Sequence, residues 1–200
     1  MRAVVQRVTS ASVAVDSEVV SSIGRGLMVL VGVGTDDNAS DVETLSNKIL
    51  NLRVFSDDSG SMWKRSVKDI QGDILCVSQF TLLANTTKGN KPDFHRAMAS
   101  EASRHLYSSF LDRIGSLYDS AKIKDGRFGA MMNVSLTNEG PVTFTLDSRK
   151  FEYVDQPVSA PSVAKPAKAA RAEKWRKVTE EKNSKEAIVD SVETSQENTS

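Results

Sequence analysis

Apolar and polar side chains alternate along residues 2–15, the two-residue period of a half-buried strand. Polar positions at 16–18 predict a turn, and 19–23 a second strand. Gly24 and Gly26 flank a bend. Residues 27–33 are continuously apolar over a strand's length, which predicts a strand buried on both faces. The period then becomes helical. Val42, Leu45, Ile49 and Leu52 share one face, and Ser40 and Glu43 stand at capping-box spacing ahead of them. A polar turn at 57–60 precedes a strand at 74–83. Asp93, after Pro92, predicts the cap of a second helix with Ala102, Leu106, Phe110, Ile114 and Leu117 as its buried stripe. Strands at 131–137 and 142–146 are joined through Asn138-Glu139-Gly140-Pro141. Strands dominate, with two separated helices and no regular βαβ alternation, which predicts an α+β fold.

The periodicity stops near Tyr153. Pro, Ser and Ala then dominate, a linker composition. Lys165, Lys168, Arg171, Lys174, Arg176 and Lys177 make the next stretch basic, and acidic residues follow from 179. These features predict a folded domain over 1–153 and a mostly disordered tail over 154–200, whose basic part could add weak, salt-dependent affinity for RNA.

Charge changes the picture once. The chain carries 26 basic and 26 acidic residues, so any nucleic acid it meets is held by a local patch or pocket and not by a globally basic surface. With one cysteine, Cys76, an intrachain disulfide framework is excluded, which fits a reducing compartment. Residues 1–15 lack the apolar core of a signal peptide, and no run is long enough to cross a bilayer. The expectation is a cytoplasmic protein with no membrane partner.

The usual catalytic groups are scarce. His95 and His105 are ten residues apart on the predicted second helix and pair with no carboxylate at metal spacing. There is no Gly-x-Ser-x-Gly elbow and no phosphate-binding fingerprint. Cys76, among Ile74, Leu75 and Val77, reads as a core thiol. Three segments remain. Ser78-Gln79-Phe80-Thr81-Leu82 ends a strand. It reads either as ordinary polar strand-end residues or as backbone N–H groups open to a ligand oxyanion. Asn138-Glu139-Gly140-Pro141-Val142-Thr143 reads by itself as a hairpin turn. The stretch around Phe128, Gly129 and Met132 reads either as core filling or as an apolar slot for a flat base.

Together these segments resemble the D-aminoacyl-tRNA deacylase family over residues 1–148. Ser78–Leu82 looks like its first signature and Asn138–Thr143 like its second. Val5-Gln6-Arg7-Val8, Lys91-Pro92-Asp93-Phe94 and Phe128-Gly129-Ala130-Met131-Met132 follow in family order. The resemblance implies mostly antiparallel strands curled into a barrel-like sheet with two main helices, a homodimer, aminoacyl-tRNA as substrate, and neither metal nor cofactor. It puts catalysis on Ser78, Gln79, Phe80 and Thr81, with the Phe80 and Thr81 amides stabilising the oxyanion. It makes Gly140 and Pro141 a cis-peptide element that rejects L-amino acids but not glycine. Arg7, Asn138 and Thr143 would support that element, and Phe128, Gly129 and Met132 would form the pocket for the terminal adenosine. A paralogous animal branch differs in the first signature and lacks the arginine; Ser78, Phe80 and Arg7 are all present here. For the attack itself, water assisted by the ribose 2′-OH is favoured over a Thr81 nucleophile, because no base is evident. A non-catalytic RNA-binding module is the alternative reading.

Overall fold

The structure, a computed structural model, describes residues 1–149. The expected tail at 154–200 and the last residues of the expected domain lie outside this range. Six strands, β1 (Arg2–Val15), β2 (Glu18–Ile23), β3 (Gly26–Gly32), β4 (Asp73–Ser78), β5 (Ile123–Asp125) and β6 (Asn133–Asp147), form one sheet. Its order is β2-β1-β3-β4-β5, with β6 on the free edge of β1. β1 is long enough to divide one edge between two partners, Arg2–Val8 against β3 and Ala11–Val15 against β2. All three pairings of β1 are antiparallel, while β3–β4 and β4–β5 are parallel. Parallel neighbours need crossovers. Helix α1 (Ala39–Asn51) lies within the first crossover and α2 (Ser100–Leu117) within the second. The Ser21 hydroxyl on β2 donates to the Asp125 carbonyl on β5 at 2.5 Å, so the mixed sheet nearly closes into a barrel.

Both faces of β3 and β4 are buried, as their apolar runs predict. Leu27, Val29, Val31, Ile74 and Cys76 join Leu45, Ile49, Phe110 and Ile114 of the helices in the main core. Met28, Leu75 and Val77 face the other way, onto Val8, Ala11, Val13 and Ile23. Burial pushes the Cys76 thiol up, so it stays protonated and inert.

Five expectations are corrected. The capping box of α1 is Asn38 with Asp41, not Ser40 with Glu43; the Glu43 carboxylate instead holds Arg113 of α2. Helix α2 starts at Ser100 after Ala99. Asp93 instead accepts the His95 backbone N–H in a local turn, which leaves His95 off the helix with its side chain exposed. Ala102 is likewise exposed, and Tyr107 takes the buried place on the stripe. The strand expected over 74–83 ends at Ser78, and the two strands expected over 131–146 are one, β6. No helix among the described residues is long and apolar enough to cross a membrane.

Asp41 does more than cap. Only 5% exposed, it accepts from Arg149, Ser148 and the Asn38 backbone N–H. The Arg149 guanidinium, ahead of burial that opposes it, holds the carboxyl well below the usual carboxylate range. A depressed folded-state pKa stabilises the fold fully above the unfolded value of about 3.9, and that stabilisation is lost as the pH falls below it. The stability gap between wild type and Asp41→Asn should therefore narrow as the pH drops from 5 to 2. Urea midpoints at pH 7, 4 and 2.5 measure it, and a gap that stays constant refutes the linkage.

Candidate functional site

β4 stops where the Gln79 backbone N–H donates to the Val31 carbonyl at 2.7 Å and the chain turns into a short 3-10 helix, Phe80–Leu83. Arg2 holds the turn from β1, donating to the Leu82 carbonyl at 3.0 Å and to Asp147 at 3.1 Å. The first N–H groups of any helix lack intrahelical partners. Here the Phe80 and Thr81 amides find no acceptor among the described residues. Ser78 and Gln79 are half-buried, whereas Phe80, 57% exposed, packs edge-on against Phe94 at 5.0 Å. The Thr81 hydroxyl accepts from the Gln79 side-chain amide at 2.6 Å. An amide is no base in either orientation of its O and N atoms, so nothing in contact with this hydroxyl among the described residues can take its proton. Neither histidine joins this turn: His95 pairs with Asp93 and His105 is exposed on α2.

The second segment is a bulge and not a hairpin. β1 pairs Gln6 with Thr143 and Val8 with Asn138, so Glu139–Val142 stand opposite Arg7 alone. The extra residues must arch outward. Asn138 spans the arch, its Nδ2 donating to the Thr143 hydroxyl at 2.9 Å and its Oδ1 accepting from the Val142 N–H at 3.2 Å. Gly140 and Pro141, joined by a cis peptide bond, are exposed at the crown. Gly140 has φ +116°, a region that L side chains rarely adopt. A Cβ there would also lie 2.8 Å from Arg7 Nη2, so the guanidinium backs the crown directly. Arg7 Nε donates to the Glu139 carbonyl at 3.3 Å and lies 3.3 Å from its carboxylate, and Nη1 donates to the Val54 carbonyl. Arg25 approaches the same carboxylate at 3.6 Å.

In the third segment the half-buried Phe128 ring meets Tyr107 at 5.6 Å, and the Arg104 guanidinium sits 4.6 Å over its centre. Gly129 lies exposed in the turn that follows, where the Ala130 N–H donates to the Arg127 carbonyl. The Met132 sulfur accepts the Arg127 N–H at 3.3 Å and packs on the second core. Tyr107 donates to Asp125 at 2.6 Å, and burial raises the carboxyl of Asp125. Sequence reasoning missed Arg104 and Tyr107. Their three-residue spacing was a signal that they share a helix face, but nothing named Phe128 as what that face meets.

A family model described as D-Tyr-tRNA(Tyr) deacylase matches residues 4–147. The chain belongs to the D-Tyr-tRNA(Tyr) deacylase family. As a member it is a deacylase, and its relatives carry that name. A D-aminoacyl-tRNA deacylase of Candida glabrata is 55% identical over 148 residues, 74% of this chain and 99% of its own length. D-aminoacyl-tRNA deacylase 1 of Homo sapiens is 54% identical over 148 residues, 74% of this chain and 70% of its own. A solved structure of a c-Myc DNA Unwinding Element Binding Protein superposes with a TM-score of 0.73 at 53% identity, covering 75% of this chain and 100% of that one.

Within one deacylase chain the two signature segments stand apart. Ser78 is in register with Val31, and Arg7, behind the bulge, with Leu27. Four strand positions separate those registers, roughly 13 Å along the strand. β1 and β3 also intervene between β6 and β4.

Proposed function

We propose that this deacylase hydrolyses the ester of D-aminoacyl-tRNA, releasing tRNA and the free D-amino acid, and so proofreads chirality in translation. The observation that carries this reading is the pair of open amides, Phe80 and Thr81, on a fixed turn in a chain of this family. Two preorganised N–H donors suit the oxyanion that forms when water attacks an ester carbonyl, and losing one such donor costs about 3–4 kcal/mol of barrier. Gly140 and Pro141 form the wall that rejects L-residues: a D side chain points away from it, and an L side chain would run into it. Glycine has no side chain to exclude, so glycyl-tRNA is also cleaved. The separation of the two signatures within one chain favours a homodimer in which the bulge of one copy meets the amides of the other. Phe128, Gly129 and Met132 hold the terminal adenosine, with the base stacking beside Arg104.

The attacking water is activated with help from the ribose 2′-OH of the substrate. Thr81 lacks a base, so it positions and does not attack. Thr81→Ala should keep D-Tyr-tRNA hydrolysis within about tenfold of wild type, whereas losing a true nucleophile costs on the order of 10⁶-fold. The test is hydrolysis of D-Tyr-tRNA and L-Tyr-tRNA by the full chain and by this variant. Loss of the D ester alone is the expected result; an inert wild type overturns the reading, and an inert variant restores the threonine nucleophile.

A further inference from the structure

After the 3-10 turn the chain forms a hairpin. Asn85 and Asp93 close it with two backbone hydrogen bonds, 2.8 and 2.9 Å. The Asn85 side chain accepts from both the N–H and the hydroxyl of Thr87, which fixes the rising strand of the loop. Lys88 and Lys91 stand exposed at the tip, and Arg96 is exposed beyond the base. None of the three makes a salt bridge or side-chain hydrogen bond among the described residues. Asp93 is the sole carboxylate in residues 84–100; His95 pairs with it directly, and Lys88 lies within its electrostatic reach. In a chain with equal numbers of basic and acidic residues, this is a local excess of positive charge.

Its position gives the charge a purpose. Phe94, next to the closing bridge, packs on Phe80, which carries one of the two open amides. The base of the hairpin is therefore coupled to the turn that would hold the ester. About three residues separate the bridge from the tip, a reach of roughly 10 Å. An ammonium at that distance lies beyond a terminal nucleoside, where the substrate presents backbone phosphates.

We propose that Lys88 and Lys91 form a docking site for the phosphate backbone of the tRNA acceptor end, an inference that rests on the deacylase reading. The contact is electrostatic and independent of sequence. It adds affinity for the polynucleotide and leaves the chemistry at the ester alone.

The test is steady-state hydrolysis of D-Tyr-tRNA by the full chain and by the double variant Lys88→Gln, Lys91→Gln, over a range of salt concentrations. Both residues are exposed, and an unchanged Tm shows that the variant is folded. At low salt KM should rise about tenfold with kcat unchanged. The slope of log kcat/KM against log salt should become shallower by about 1.4–1.8, the loss of two phosphate contacts. An unchanged KM or an unchanged slope overturns the proposal whatever kcat does. An inert wild type fails the deacylase reading itself, and the docking site falls with it.

Discussion

Arg7→Ala should lower kcat/KM for D-Tyr-tRNA by about 100-fold while leaving a folded protein. Arg7 is the only residue of β1 opposite the bulge, and its guanidinium serves three groups at once: the Glu139 carbonyl, the Glu139 carboxylate and the Val54 carbonyl. It also packs against Gly140. Removing it leaves the bulge resting on Asn138 alone from within β6. The stability cost should be about 2 kcal/mol, because two acceptors lose their donor while Arg25 still faces Glu139. With the bulge placed at the substrate as proposed above, the rate cost is larger, since a shift of about 1 Å in a positioning element can cost 10²-fold. Arg7→Lys should recover part of the stability but little of the rate, because an ammonium cannot reproduce the planar fork. Single-turnover hydrolysis and thermal melting of both variants test this. A lower Tm with an unchanged rate would make Arg7 a structural residue only, and would remove the bulge from the site.

The second large effect is on stability. Gly26 opens β3 directly beside Asp73 of β4, and a Cβ there would fall 1.9 Å from the Asp73 carbonyl oxygen. No side-chain rotation relieves a clash with backbone, so Gly26→Ala must pry open the parallel joint on which both cores rest. The expected cost is about 3–4 kcal/mol, at the upper end for a single substitution. For a domain of this size that lowers Tm by about 10 °C. Gly24→Ala is the control: a Cβ there meets nothing within 4 Å, and Tm should hold within about 2 °C. Equal effects at the two glycines would mean that this joint is not where the sheet is held.

Several parts of the protein were legible in one dimension. The alternation over β1, the unbroken apolar run of β3 and the helical stripe of α1 each record burial that every residue in the element experiences. Periodicity reports such burial directly. The resemblance rested on short segments that the structure places at five distinct positions: β1, the turn after β4, the hairpin closed by Asn85 and Asp93, the turn before β6 and the bulge of β6.

What the pattern misjudged depended on partners far along the chain. Gly140 and Pro141 punctuate like a hairpin, yet Asn133–Asp147 is one strand, because β1 is long enough to pair with both halves and absorb the excess as a bulge. Asp93 has the chemistry of a helix cap, but its partner is its own turn. The residues between it and Ser100 are held by the segment that follows β3, with the Thr35 N–H donating to the Arg96 carbonyl and the Met98 N–H to the Val33 carbonyl. The strand alternation seen in Ile74–Leu83 continues past Ser78 only in sequence, since the Gln79 N–H is the last group that Val31 can accept. That break opens the Phe80 and Thr81 amides. The sequence by itself therefore determined the family, the main strands and the core-facing helix stripes, all of which depend on local burial and short motifs. Tertiary structure alone decided where strands stop, which donors remain unpaired and what Arg7 holds, because each is a matter of hydrogen-bond partners brought in from other strands.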